Sequence, residues 1–213
     1  MNKMLVRADD LGYSEAFNYG LARAVKSGFL RCVGVMPNME WAEHGVNLLK
    51  DTDAIFTVHA NICQGKPLTD PKLIPSLVDE NGIFKDKSLY REAKEDFVVL
   101  DEVVMEVEAQ YQRLVELTGK KPFMVEAHAV PSANFNKALA IVGQKYGLTL
   151  TEEMWALLKQ ETPKELNNVE TQITGSVKQL CKSAEETCRT LGYEPTVLTS
   201  SMRCNARDAG SFL

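Results

Sequence analysis

Short apolar runs alternate with amphipathic stretches along the first half of the chain, and most apolar runs end in a polar group. Met4 to Ala8 predicts a short buried strand that runs into "DDLG". With Ser14 as N-cap, Phe17, Leu21, Ala24 and Val25 recur at helical spacing up to Gly28. Leu30 to Met36 ("LRCVGVM") predicts a second strand, stopped by Pro37, and a helix follows over Glu40 to Leu49. Ile55 to His59 ("IFTVH") predicts a third strand, leading into the Gly- and Pro-rich loop "ANICQGKPLTDPKLIP".

The polar stretch 79–96, with turn-like "DENG" and "KDKS", reads as an excursion above the main fold. Asp101 then caps a helix whose stripe is Val103, Val107, Tyr111 and Leu114 and whose end is Gly119. Phe123 to Ala127 ("FMVEA") predicts a strand running into His128. Lys137 to Tyr146 predicts a helix ended by Gly147, with a strand over Leu148 to Leu150. Farther on, Ser176 to Leu191 has an amphipathic pattern and Thr196 to Ser200 a strand pattern. Neither an internal repeat nor a linker divides the chain, so residues 1–213 read as a single domain.

Strands alternating with helices imply a parallel sheet or barrel with helices outside. Chemistry in such folds sits where strands end, at the carboxyl edge. Asp9 and Asp10 follow the first predicted strand, His59 closes the third and His128 follows "FMVEA". Neighbouring carboxylates repel each other and lose hydration, so the aspartate pair needs solvent, a helix N-terminus or a metal ion beside it. One aspartate and two histidines can form a three-ligand site with positions left open for water and substrate. His44, inside "EWAEHGVNLL", reads as an ordinary helix residue.

Composition narrows the class. The chain is 45% hydrophobic and 25% charged, which excludes disorder. A net charge of -5 and a pI near 5.4 weigh against a nucleic-acid partner. Five cysteines (Cys32, Cys63, Cys181, Cys188 and Cys204) without a CxxC pair point to free thiols in a reducing compartment, with Cys181 and Cys188 read as packing residues. The N-terminus lacks a signal-peptide core, and no apolar run approaches the ~20 residues of a membrane span. A cytoplasmic protein with no membrane partner is expected.

Three stretches, "ADDLGYSEAFNYG", "HANICQGKPL" and "EAHAVPSAN", resemble the three motifs of the YdjC-like carbohydrate deacetylases in letters, order and spacing. The resemblance implies an α/β fold, an irregular (β/α) barrel of the TIM-like glycoside hydrolase/deacetylase type. It implies hydrolysis of N-acetyl groups from small amino-sugar oligosaccharides, using a divalent metal, Mg2+ first and Zn2+ as the alternative. A small acetylated sugar is the partner it implies, and a homodimer is expected with it. Position by position, Asp10, His59 and His128 match the metal ligands and Asp9 the general base. Asn18 and Asn61 match loop positions expected to bind substrate. Gly65 and Pro67 shape the same loop, as they would in any tight turn.

Two departures stand against that pattern. The third motif reads "EAHAVPS" where the family reads like "DSHQHVH", so Glu126 stands as the acidic neighbour of His128. Glu126 is expected either to orient a metal histidine or to donate a proton to the leaving amine. Further, no histidine follows His128 to match the family's later "HPG" proton donor, and "TSSMRCNARDAGSFL" ends early for the family. The C-terminal part is therefore expected to be truncated or divergent. Two alternatives follow: a non-catalytic, metal-containing sugar-binding relative, or another metal hydrolase such as a phosphoesterase. For phosphate chemistry the loops near the ligands offer only Arg7 and Lys66.

Overall fold

Four parallel strands pair in the order β1-β2-β3-β4: β1 (Arg7–Leu11), β2 (Cys32–Val35), β3 (Ile55–Ala60) and β4 (Val125–Ala127). The computed structural model describes residues 6–151 together with Met154, Leu157 and Leu158. The helix expected over Ser176 to Leu191, the strand over Thr196 to Ser200 and Cys181, Cys188 and Cys204 lie outside the described residues.

Helices fill the crossovers: α1 (Glu15–Lys26), α2 (Ala42–Leu49), α4 (Leu100–Thr118) and α5 (Ala133–Lys145), with the short α3 (Lys87–Glu92) in the excursion. Strand order that follows chain order without reversal is the order of a barrel wall, whereas a doubly wound sheet reverses at a switch point. An isolated parallel bridge, Met124 to Thr149, continues the order beyond β4, where the strand over Leu148 to Leu150 was expected.

The sheet has two unlike faces, because strand side chains alternate. Val33, Val35, Val58, Ala60 and Val125 belong to the buried apolar core shared with Leu21, Val25, Val46, Leu49, Val103, Val107, Leu114 and Phe135 of the helices. Register places Arg7 beside Cys32, Gly34 beside Thr57 and His59 beside Glu126. These residues form the other face, and most of them are polar.

Local signals explain most element ends. Ser14 caps α1 by accepting from Phe17 N at 3.2 Å, and Gly119 closes α4 in the left-handed conformation. Several boundaries differ from expectation. β1 begins at Arg7 and runs on through both aspartates. Helix α4 begins at Leu100, with Val99 at its cap position and no side-chain cap, so Asp101 lies in its first turn. Helix α5 begins at Ala133 rather than Lys137, because Ser132 caps it and Asp96 of the excursion accepts from Asn134 N at 2.9 Å.

The excursion is tied to the loops after β3 and β4. Tyr90 Oη donates to Ile62 O at 2.7 Å, and Arg91 Nη2 donates to Ala129 O at 3.3 Å. Among the described residues, no helix is long and apolar enough to cross a membrane. Cys32 and Cys63 are free and buried, and burial pushes the Cys63 thiol up to about 11.

Candidate metal centre

In a regular strand Asp9 and Asp10 would point to opposite faces. The pairing of β1 with β2 slips between Ala8 and Leu11, and Asp10 adopts a φ of 68°, in the left-handed region. Aspartate tolerates that region better than most residues that carry a Cβ. This bulge turns Asp10 toward the polar face that Asp9 already occupies. The same strand end thereby supplies two carboxylates to one site.

Asp10 Oδ1 lies 3.2 Å from His59 Nε2 and 3.1 Å from His128 Nδ1, and the two ring nitrogens lie 3.0 Å apart. His59 comes from β3. His128 stands just past β4, where its N–H donates to Ala60 O at 2.8 Å and Ala129 turns the chain at a φ of 56°. Three donor atoms thus form a nearly equilateral triangle. Adjacent ligands on a six-coordinate ion with bonds of ~2.1 Å stand ~3.0 Å apart, and on a four-coordinate ion ~3.4 Å. The observed edges fall between these values. Asp10 Oδ1 is buried without a hydrogen-bond partner, as an oxygen kept for a cation would be. Together these features fit a divalent ion bound at one triangular face.

Electrostatics lead the same way. Burial works against a charge on Asp10, yet His128 and His59 beside it hold its carboxyl well below the usual carboxylate range. Burial also disfavours a charged His59 ring, but Asp10, Glu126 and Asp9 push its pKa up to about 9. The His59 shift reports carboxylates gathered around the ring, surroundings that draw a cation, and the Asp10 shift reports the two histidines beside it.

Behind His59 stands a second layer. Glu126 Oε1 faces His59 Nδ1 at 3.4 Å and accepts from Thr57 Oγ1 at 3.1 Å. Glu126 Oε2 is paired with Arg7 Nη2. Arg7 also grips Asp9, with Nε 2.9 Å from Oδ1 and Nη2 2.9 Å from Oδ2. Gly34 lies beneath this group, with no side chain to block it. Neither Arg7 in this bridging place nor Gly34 was singled out from the sequence, although a glycine inside an apolar strand is the usual mark of close approach.

The asparagines expected to bind substrate, Asn18 and Asn61, are both fully buried. Asn18 Oδ1 accepts from Gly12 N at 2.8 Å, while its Nδ2 donates to Trp41 O at 2.8 Å and lies 3.1 Å from His44 Nδ1. Asn61 Nδ2 donates to Asn38 Oδ1 at 3.0 Å and to Gln64 O at 2.8 Å, and its Oδ1 accepts from Cys63 N at 3.1 Å. Their amides hold the loops after β1 and β3, at the positions expected to bind substrate. Two residues of α4 do related work. Buried Gln110 bonds both backbone groups of Asn61, at 2.9 and 2.7 Å, and buried Glu106 accepts from Leu68 N and Thr69 N at 3.2 and 2.9 Å.

Comparison with known proteins bears on the fold and the family. The chain superposes with a TM-score of 0.62 on a crystal structure of a protein from Enterococcus faecalis V583 named for cellobiose-phosphate cleavage. That match has 24% identity and covers 73% of this chain and 62% of the other, so it speaks to the barrel-type fold alone. Over 126 residues the chain is 32% identical to a chitooligosaccharide deacetylase from Escherichia fergusonii, covering 59% of this chain. The matched region is 48% of that relative, so it spans about half the length of the curated protein it matches. The family model described as YdjC-like protein matches residues 3–207, and by that match the chain belongs to the YdjC-like family.

Proposed function

We propose that the chain is a divalent-metal-dependent N-deacetylase of short acetylated amino-sugar oligosaccharides. The observation that carries this reading is the triangle of Asp10, His59 and His128, with Asp9 beside it on the same strand end. Its relation to a chitooligosaccharide deacetylase supports the substrate class. Asp10, His59 and His128 would hold the ion, which supplies polarisation of the amide carbonyl and acidification of a water. Asp9, steadied by Arg7, takes a proton as general base. Glu126 orients His59 through Nδ1, and Thr57 and Arg7 fix Glu126 in turn. Two imidazole nitrogens favour a borderline ion such as Zn2+ over the Mg2+ that the resemblance implies.

A second reading has its own observation. The chain has three histidines, and His44 packs against Tyr19 and Trp41 and beside Asn18. Both oxygens of Glu126 are engaged, which leaves neither free to carry a proton to a leaving amine. Those facts favour a sugar-binding protein with a metal and little turnover. The phosphoesterase reading is weaker, because Arg7 is held by two carboxylates rather than offered to a phosphate.

Incubation with N,N′-diacetylchitobiose, with Zn2+, Mg2+ or chelator present, tests the proposal. The deacetylase reading expects release of acetate and a free amine that chelator abolishes and that His59→Ala removes. Calorimetric binding of the disaccharide without acetate release would establish the second reading instead. Hydrolysis of p-nitrophenyl phosphate alone would support the third.

A further inference from the structure

We propose that Arg7 is the resident cation of a second ligand cluster, and that it restricts the site to one divalent ion. The inference rests on the proposed metal site of Asp10, His59 and His128. Asp9, His59 and Glu126 also offer one ligand atom each, all within 4.8 Å of one another, so the two clusters share His59. In the second cluster His59 Nδ1 and Asp9 Oδ1 are buried, Nδ1 facing Glu126 Oε1 at 3.4 Å and Oδ1 facing Arg7 Nε at 2.9 Å, and the His59 side chain is only 7% exposed. A cation belongs where such atoms converge on two carboxylates.

Arg7 fills that place. Its guanidinium lies 2.9 Å from each Asp9 oxygen and against Glu126 Oε2. Glu126 and Asp9 keep it charged in spite of burial. A guanidinium is charged at every working pH and matches carboxylates in a planar fork, so it acts as a metal that cannot be lost. Gly34 leaves the room: a Cβ there would stand 2.6 Å from Asp9 Oδ1 and 3.2 Å from Glu126 Oε1. Three carboxylates then meet one guanidinium and one divalent ion, and the charges cancel. Arg7 is a positioning residue, because it works through Asp9 and Glu126.

The test uses Mn2+ as the probe, with elemental analysis after equilibrium dialysis and electron paramagnetic resonance of the bound ions. Wild type is expected to hold one Mn2+ with the six-line spectrum of an isolated ion. Arg7→Met removes the charge and keeps the bulk, and it should hold two ions with a spin-coupled spectrum, the second ion displacing the His59 Nδ1 proton to solvent and leaving an imidazolate between the two. Arg7→Met combined with Glu126→Gln should return to one, and Arg7→Lys should stay at one. Arg7→Gln carries the same test if Arg7→Met does not fold. A single uncoupled Mn2+ in both neutral variants, or two ions in wild type, overturns the inference. No Mn2+ in wild type would instead remove the metal site on which it rests.

Discussion

Gly34 lies directly beneath Asp9: a Cβ on Gly34 would stand 2.6 Å from Asp9 Oδ1 and 3.2 Å from the His59 Cβ. Contacts that close force one partner to move, and Asp9 is already held at both oxygens by Arg7. Gly34→Ala should therefore displace Asp9 and Glu126 together. The expected cost is about 1–3 kcal/mol of stability. Metal affinity should fall by roughly 10- to 100-fold, the usual effect of disturbing groups behind metal ligands. Denaturant melts and a metal titration measure both, and an unchanged affinity would show that the carboxylates shift freely.

The neighbouring aspartates should separate by phenotype. Asp10 touches both histidines, whereas Asp9 is paired with Arg7. Asp10→Asn should lose the ion and activity together. Asp9→Asn should keep the ion and lose turnover by roughly 10²- to 10⁴-fold, the worth of a general base. Metal content and kcat measured on both variants decide the matter. Loss of metal in Asp9→Asn with retention in Asp10→Asn would reverse the two roles.

Metal removal should leave a pH signature in stability. In the metal-free protein burial opposes a charge on His59, yet Asp10 and Glu126 raise its pKa from 6.5 to about 9. A histidine raised above its unfolded value adds stability that is complete below the unfolded pKa and lost as pH rises through the folded one. Chelated protein should thus weaken from pH 6.5 to about 9. Metal-loaded protein should not show this loss, because the ion takes the proton's place. Urea melts across that range, with and without chelator, provide the measurement. Equal stability of the chelated form at both ends would contradict the assigned field.

What was legible in the sequence was the set of strand ends. His59 and His128 close apolar runs, and that pattern places them at one edge of a parallel sheet. The course of β1 was harder to read, because Asp9 and Asp10 look like the end of an apolar run although they continue the strand as its polar face. Arg7 pairs with a glutamate 119 residues away, a relation with no local trace. The asparagines resemble ligand contacts, and the sequence does not show that their amides reach Trp41 and Gln64. Helix α5 starts in "ANFN", a poor helix former by propensity, and the compensating acceptor is Asp96 of a distant loop.

The loop after β3 rests on one buried carboxylate, and that dependence can be measured. Glu106 of α4 is fully buried, and its two oxygens accept from Leu68 N, Thr69 N and Gln110 Nε2 at 3.2, 2.9 and 2.8 Å. Burial pushes its carboxyl upward, while the hydrogen bonds from Gln110, Thr69 and Leu68 pull it back. Glu106→Ala would leave two backbone donors unpaired and release Gln110, which holds Asn61 at the end of β3. Losing such a partner costs about 1–3 kcal/mol for each stranded group, so a total of about 2–6 kcal/mol is expected. Glu106→Gln keeps the shape, but its amide would turn an N–H toward a backbone N–H, so it should recover only part of that loss. Because His59 lies two residues before Asn61, a loosened loop should also raise KM at a temperature where the variant remains folded. Denaturant melts give the first quantity and disaccharide kinetics the second. A Glu106→Ala protein as stable as wild type would show that water replaces the carboxylate, and that the loop is held by its glycine and proline turns alone.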